Sequence, residues 1–121
     1  MRLAVLAAVF AALAAPAFAQ TDPAAAGKDA FDHEFTCGNC HQPDDFEQAP
    51  PLRGVAGRKI AGAPDWPYCA PLKAKAGVWD DANLDAFLAD TQAFAPGCVM
   101  AYKITDPAKR RALIAYLKTL R

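Results

Sequence analysis

A chain of 121 residues is long enough for one domain and too short for two of ordinary size. Its 13 Lys and Arg residues balance 13 Asp and Glu, which excludes the basic footprint of a nucleic-acid binder. Four cysteines in so short a chain make the redox compartment the first question.

The N-terminus points to an answer. Arg2 gives a short positive lead, Leu3 to Ala15 is an uninterrupted apolar run, and Pro16 breaks it. Ala17-Phe18-Ala19 then forms a small-x-small cleavage site before Gln20. This is the layout of a secretory signal peptide over residues 1–19, leaving residues 20–121 as one domain. An uncleaved anchor is the competing reading, but the run falls short of the ~20 apolar residues of a spanning helix. No later segment could span, so no integral membrane segment is expected after cleavage. The expected location is periplasmic, where unpaired cysteines tend to form disulfides.

Thr21 to Ala26 reads as a frayed new terminus, and a first helix is expected over about Ala24 to Thr36, with Phe31 and Phe35 on one face. His41 to Gly62 is loop-like, punctuated by Pro43, Pro50, Pro51, Gly54, Gly57 and Gly62. Ala63 to Gly77 shows no clear periodicity. A helix starts near Asp80 or Asp81, with Leu84, Phe87 and Leu88 as its apolar stripe. Phe94 to Ile104 is a loop containing Pro96-Gly97. The last helix opens with Asp106 as cap and Pro107 at its first position, and Leu113, Tyr116, Leu117 and Leu120 mark its buried face. Nothing suggests a strand pair. Loops this long are uncommon in compact domains, and three modest apolar stripes bury too little to fix them. A large rigid apolar ligand acting as the interior would resolve the conflict.

Cys37-Gly38-Asn39-Cys40-His41 supplies the means to hold one. In a C-x-x-C-H motif the two thiols can each add to a haem vinyl group, and the adjacent histidine reaches the iron. A thioredoxin-like pair would want a βαβ context, which is missing. A zinc site drawing Cys69 or Cys98 to Cys37, Cys40 and His41 satisfies ligand count alone and leaves the other motifs unexplained. For the second axial position, Met100 is the one methionine left after signal removal. An isolated methionine is more often core filler, but its Pro-Gly turn and its place just before the last helix favour ligation. His33, the other histidine, lies too close to the attachment motif to cross a haem and reads as a surface residue.

Taken together these residues resemble the class I c-type cytochromes, the mitochondrial and bacterial cytochrome c family. Pro50-Pro51-Leu52-Arg53-Gly54-Val55-Ala56-Gly57-Arg58-Lys59 is similar to the family's P-x-L-x-G-x-x-G-R-K segment. The spacing from Ala63-Pro64 through Tyr68 to Trp79 is kept, and Leu113-Ile114-Ala115-Tyr116-Leu117-Lys118 matches the C-terminal helix.

The resemblance implies an all-α fold, a small cytochrome c domain of three to five helices whose long loops wrap one covalently bound haem c. It implies that His41 and Met100 ligate the iron and that Cys37 and Cys40 form the thioethers. Pro50 would accept from the Nδ1–H of His41. Arg58, Tyr68 and Trp79 would bind a haem propionate. Leu113, Tyr116 and Leu117 would pack on Gly27 and Phe31, with Gly27 admitting a close helix approach.

Departures from the family pattern are equally informative. Cys69 and Cys98 fall where the family commonly has threonines that donate to one propionate, so a Cys69–Cys98 disulfide is expected. Gln92, Ala93 and Val99 stand at places where mitochondrial members carry lysines around the haem edge. The implied activity is one-electron transfer between a protein donor and a protein acceptor by a soluble monomer that is not an enzyme. Two alternatives stand beside it: a dedicated electron-accepting subunit of a periplasmic dehydrogenase, and a haem sensor or peroxidase with a labile methionine.

Overall fold

The computed structural model describes residues 21–42, 44 and 48–121. The signal peptide expected over residues 1–19 lies outside the described residues. Five α-helices follow in order: α1 (Pro23–Asp29), α2 (Ala70–Lys73), α3 (Asp81–Ala89), α4 (Thr91–Phe94) and α5 (Pro107–Leu117). A π-type segment, Ala30–Glu34, prolongs α1, and Cys37–Asn39 forms a single 3-10 turn. Among the described residues there is no strand, only an antiparallel bridge between Lys59 and Val78.

Helix starts follow local chemistry. Asp80 accepts from Asn83 N at 2.8 Å to open α3, and Asp106 accepts from Ala108 N at 2.8 Å to open α5, with Pro107 next. The same device corrects the expectation of a frayed Thr21–Ala26. Asp22 accepts from Ala24 N at 3.1 Å and Pro23 takes the first helical position, so α1 begins there. At its far end the expected helix to Thr36 stops earlier. Phe35 N reaches back five residues to Ala30 O at 2.8 Å, and Thr36 adopts φ 50°. Two single-turn helices, α2 and α4, replace stretches expected as loop or left unassigned. Pro71 lies in the first turn of α2, and Asp90 caps α4 through Gln92 N and Ala93 N.

The core lies where α1, α3 and α5 meet. Phe31, Leu84, Leu88, Leu113, Ile114 and Leu117 are buried, joined by Val55, Ile60, Trp79 and Ile104 from the loops. The expected stripes of α3 and α5 are therefore the inward faces, with Phe87, Tyr116 and Leu120 half-buried at their margins. Trp79 stacks on Phe94 at 5.7 Å and tilts against Phe87 at 5.1 Å. The loops are tied by backbone pairing: Gly57 N donates to Trp79 O at 2.9 Å, Trp79 N to Arg58 O at 2.8 Å, and Ile60 N to Gly77 O at 3.1 Å. Gly54 N donates to Leu120 O at 2.6 Å, which fastens the C-terminus to the same loop. Ion pairs such as Lys109–Glu34 and Lys118–Asp81 lie on the exposed surface and contribute little.

The closest approach of two elements is at Gly27. A Cβ there would overlap the carbonyl of Ala112 and stand 2.9 Å from Tyr116 Cβ, so α1 and α5 touch backbone to backbone. Next to it Phe31 meets Tyr116 edge-on, ring centroids 5.2 Å apart. Because the obstacle is backbone, it cannot swing aside. Gly27→Ala should lower the unfolding free energy by about 2–3 kcal/mol through forced separation of the helices. Guanidinium denaturation of the two holoproteins checks this; equal midpoints would show that the crossing has slack.

Candidate functional site

The end of the first helical stretch delivers the Cys37 turn. After Thr36 the chain winds tightly, with Asn39 N donating to Thr36 O at 3.0 Å. Cys40 N at 3.1 Å and His41 N at 2.8 Å then share the carbonyl of Cys37. Two intervening residues thus put the two thiols and the imidazole on one turn. Gln42 Nε2 secures it by donating to Gly38 O at 2.6 Å. Cys37 and Cys40 are free thiols, the first half-buried and the second exposed. Burial pushes the Cys37 thiol up to about 11, so it is no thioredoxin-type thiolate.

His41 Nδ1 lies 3.0 Å from the carbonyl oxygen of Pro50. A carbonyl only accepts, so Nδ1 carries the proton and Nε2 keeps a free lone pair. Burial pulls the imidazole pKa below its ordinary value, with the Pro50 carbonyl opposing. The ring is therefore neutral and orientated, the state in which a histidine ligates metal.

Arg58 and Trp79 are joined through their backbones, Trp79 N donating to Arg58 O at 2.8 Å, while Tyr68 lies in the next loop and is bonded elsewhere. Arg58 donates from one terminal nitrogen to Pro51 O at 2.9 Å and from the other to Arg53 O at 3.2 Å. Its Nε is buried with no acceptor among the described residues. An orphaned guanidinium donor beside the loop that holds His41 is costly unless an anion meets it, and a carboxylate of a bound group fits that need. The Tyr68 hydroxyl accepts from Ala63 N at 3.2 Å, which leaves its own proton to donate. Trp79 is buried in the aromatic cluster with Phe87 and Phe94. Paired thiols, a neutral imidazole and an unmet cationic donor fit a covalently attached group that carries carboxylates and a metal.

Met100 closes the loop that begins in α4. Thr91, 1% exposed, donates from Oγ1 to Met100 O at 2.8 Å and accepts from Tyr102 N at 2.8 Å. Gln92 Nε2 donates to Cys98 O at 2.8 Å and to Met100 O at 2.9 Å, while its Oε1 accepts from Gly97 N at 3.0 Å. Tyr102 donates to Phe35 O at 2.8 Å, linking this loop to the residues just before Cys37. Cys69 and Cys98 have Cα atoms 5.7 Å apart and sulfurs in bonding contact. Neither adjoins a histidine, whereas Cys40 directly precedes His41.

Their mutual contact also leaves the zinc reading without its further ligand. Among the described residues no group of three or more His, Cys, Asp or Glu side chains is placed to hold a metal ion. His33 lies exposed on the first helical stretch, 3.9 Å from Asp29, as a surface residue would. Sequence reasoning missed Thr91, Gln92 and Tyr102. Their polarity was visible, but the carbonyls they meet are set by the loop's path.

The family model described as Cytochrome c matches residues 24–121. A cytochrome c-554 of Methylosinus trichosporium is 38% identical over 96 residues, covering 77% of this chain and 70% of that protein. A cytochrome c2 of Rhodopseudomonas palustris is 34% identical over 103 residues, covering 70% and 90% respectively. Among solved structures, cytochrome cH from Methylobacterium extorquens aligns with a TM-score of 0.73 at 40% identity, over 79% of this chain and 97% of that one.

Asp90 gives the α4 end of the Met100 loop a dependence on acid. The Ala93 amide, then Lys103 at 3.1 Å, hold its carboxyl below the ordinary 3.8. A lowered folded-state value means the stabilisation is complete above 3.8 and is lost as pH falls through the lowered value. Asp90→Asn should therefore be less stable than the parent at neutral pH, with the gap narrowing below that range. Unfolding midpoints measured from neutral pH into acid test it; a constant gap would remove the carboxylate from the account.

Proposed function

Since the chain belongs to the cytochrome c family, whose members bind one covalently attached haem c, we propose that it is an exported, soluble one-electron carrier serving protein redox partners in the periplasm. The observation that carries this reading is the Cys37–His41 turn with His41 Nδ1 held on the Pro50 carbonyl.

The haem supplies the Fe(III)/Fe(II) couple. Cys37 and Cys40 anchor it through two thioethers, which keeps it bound after export. His41 offers Nε2 to the iron, and its hydrogen bond to Pro50 strengthens it as a donor. Met100 offers its thioether from the opposite loop, and a soft ligand of this kind raises the reduction potential. Arg58 Nε and the Tyr68 hydroxyl would donate to a propionate, while Trp79 packs in the aromatic cluster with Phe87 and Phe94. With His41 and Met100 both committed to the iron, no bond-breaking chemistry would fall to the protein, and it would act as carrier rather than enzyme.

Export is supported by the charge, apolar run and small-x-small site of residues 1–19. Among the described residues no helix is long and apolar enough to cross a membrane. The chain acts as a monomer. The sulfur contact and the Cα spacing of Cys69 and Cys98 support a disulfide, as an oxidising compartment favours.

Two measurements test the assignment. The ferric holoprotein should show the weak methionine-to-iron charge-transfer band at the red end of its spectrum. Met100→Ala should abolish that band and lower the potential in a redox titration; a band that survives the substitution would overturn the ligand assignment. In the unfolded but unreduced holoprotein no thiol should react, because Cys37 and Cys40 are thioethers and Cys69 and Cys98 are bridged. Reducing the bridge should lower stability by about 3.5 kcal/mol, the chain-entropy value for a loop of this length. Two reactive thiols before reduction would end the disulfide reading.

A further inference from the structure

Position 92 is one where the resemblance places an outward lysine, yet Gln92 is half-buried and its side chain turns onto its own loop. The three groups it meets span nearly the whole turn: Gly97 N, Cys98 O and Met100 O. One donates and two accept, and among side chains of this length only a carboxamide can answer both. Lysine could reach the carbonyls but would leave Gly97 N unmet; glutamate could meet Gly97 N but would face the two carbonyls without a donor. Thr91 Oγ1 supplies the second hydrogen bond to Met100 O, so that carbonyl uses both lone pairs.

We propose that Gln92 is the positioning residue of the methionine loop: its carboxamide holds the backbone from Gly97 to Met100 in one path, so that the Met100 sulfur is presented to the iron without a search. This rests on the reading of Met100 as iron ligand. The loop has other anchors, the Cys98–Cys69 contact and Thr91 Oγ1 on Met100 O, but each holds one point and leaves the chain between them free to swing. Gln92 removes the swing by catching the carbonyls on either side of Val99. Val99 itself is fully exposed and adds no packing of its own, so the restraint must come from the polar clasp. Gln92 does not touch the iron, and its effect is carried through the Met100 backbone.

Imidazole binding to the ferric holoprotein reads this directly, because at saturating imidazole the rate is limited by departure of the methionine. Gln92→Ala should raise that limiting rate about tenfold, the effect of losing hydrogen bonds of ordinary net strength. Gln92→Glu, which keeps length and the Gly97 acceptor but loses both donors, should also raise it. Global guanidinium midpoints should move little by comparison, since the helix core is untouched. Limiting rates within about twofold of the parent for both variants would overturn the positioning role. The parent protein separates the two levels of argument. If its ferric spectrum lacks the methionine band, the ligand assignment fails and this inference with it. If the band is present and the rates do not change, only the role of Gln92 falls.

Discussion

The rest of the molecule depends on the contact of α1 with α5 at Gly27. Bringing two helix backbones together there places Phe31 against Tyr116 and Leu113 at the centre of the core. It also decides where the first helical stretch ends, and so where the Cys37 turn begins. The π-type segment and the left-handed Thr36 then take the chain out of the helix within a few residues. α5 serves a second purpose on its other side, where Arg110 binds Asp85 at 2.7 Å and the Ile104 carbonyl at 2.8 Å. A single helix pair thereby locates both ends of the functional loops, the one that begins after Phe35 and the one that finishes at Ile104.

What the sequence disclosed was the chemistry that acts over a few residues. The Asp80 and Asp106 caps, the Pro107 start and the α3 and α5 stripes are local, and they appear where expected. The Asp22-Pro23 start obeys the same rule but adjoins an alanine run that, in sequence alone, is indistinguishable from a loose terminus. The single turns α2 and α4 are too short for any hydrophobic period to register. The i to i+5 turn at Ala30 has no composition of its own, because it depends on what the helix must reach afterwards. For the site, C-x-x-C-H and the segment around Pro50 and Arg58 drew attention to two loops that the fold joins through His41 Nδ1 on Pro50 O. The clasp by Thr91, Gln92 and Tyr102 could not be read in advance, since carbonyls carry no sequence signature.

The structure also answers the objection that long loops raise. Their backbone groups are met individually: Gly57, Trp79 and Ile60 by one another's neighbours, Gly54 by Leu120, Thr91 by Tyr102, and Ile104 by Leu88. Each such bond contributes modestly, about 1 kcal/mol net, but leaving it unmade in a buried place costs more. These bonds tie the loops to one another and to the helices beside a small apolar centre. Arg58 is the exception that points outward from the polypeptide. It is fastened to Pro51 and Arg53, yet its Nε lacks an acceptor among the described residues, so one buried donor is left for an anion that the polypeptide does not supply.

The same segment shows an exchange between charge and position. A lysine ring at a haem edge speeds encounter with an acidic partner by long-range attraction, and that attraction falls with salt. At positions 92, 93 and 99 this chain has glutamine, alanine and valine, and the glutamine faces its own loop. These three positions cannot steer a partner by charge, and the side chain that could have done so holds Met100 O instead. At these positions what is offered instead is short-range apolar contact at the exposed Ala93 and Val99. Such contact forms without acceleration and releases without a charge pair to break, which suits a carrier that must leave each partner quickly.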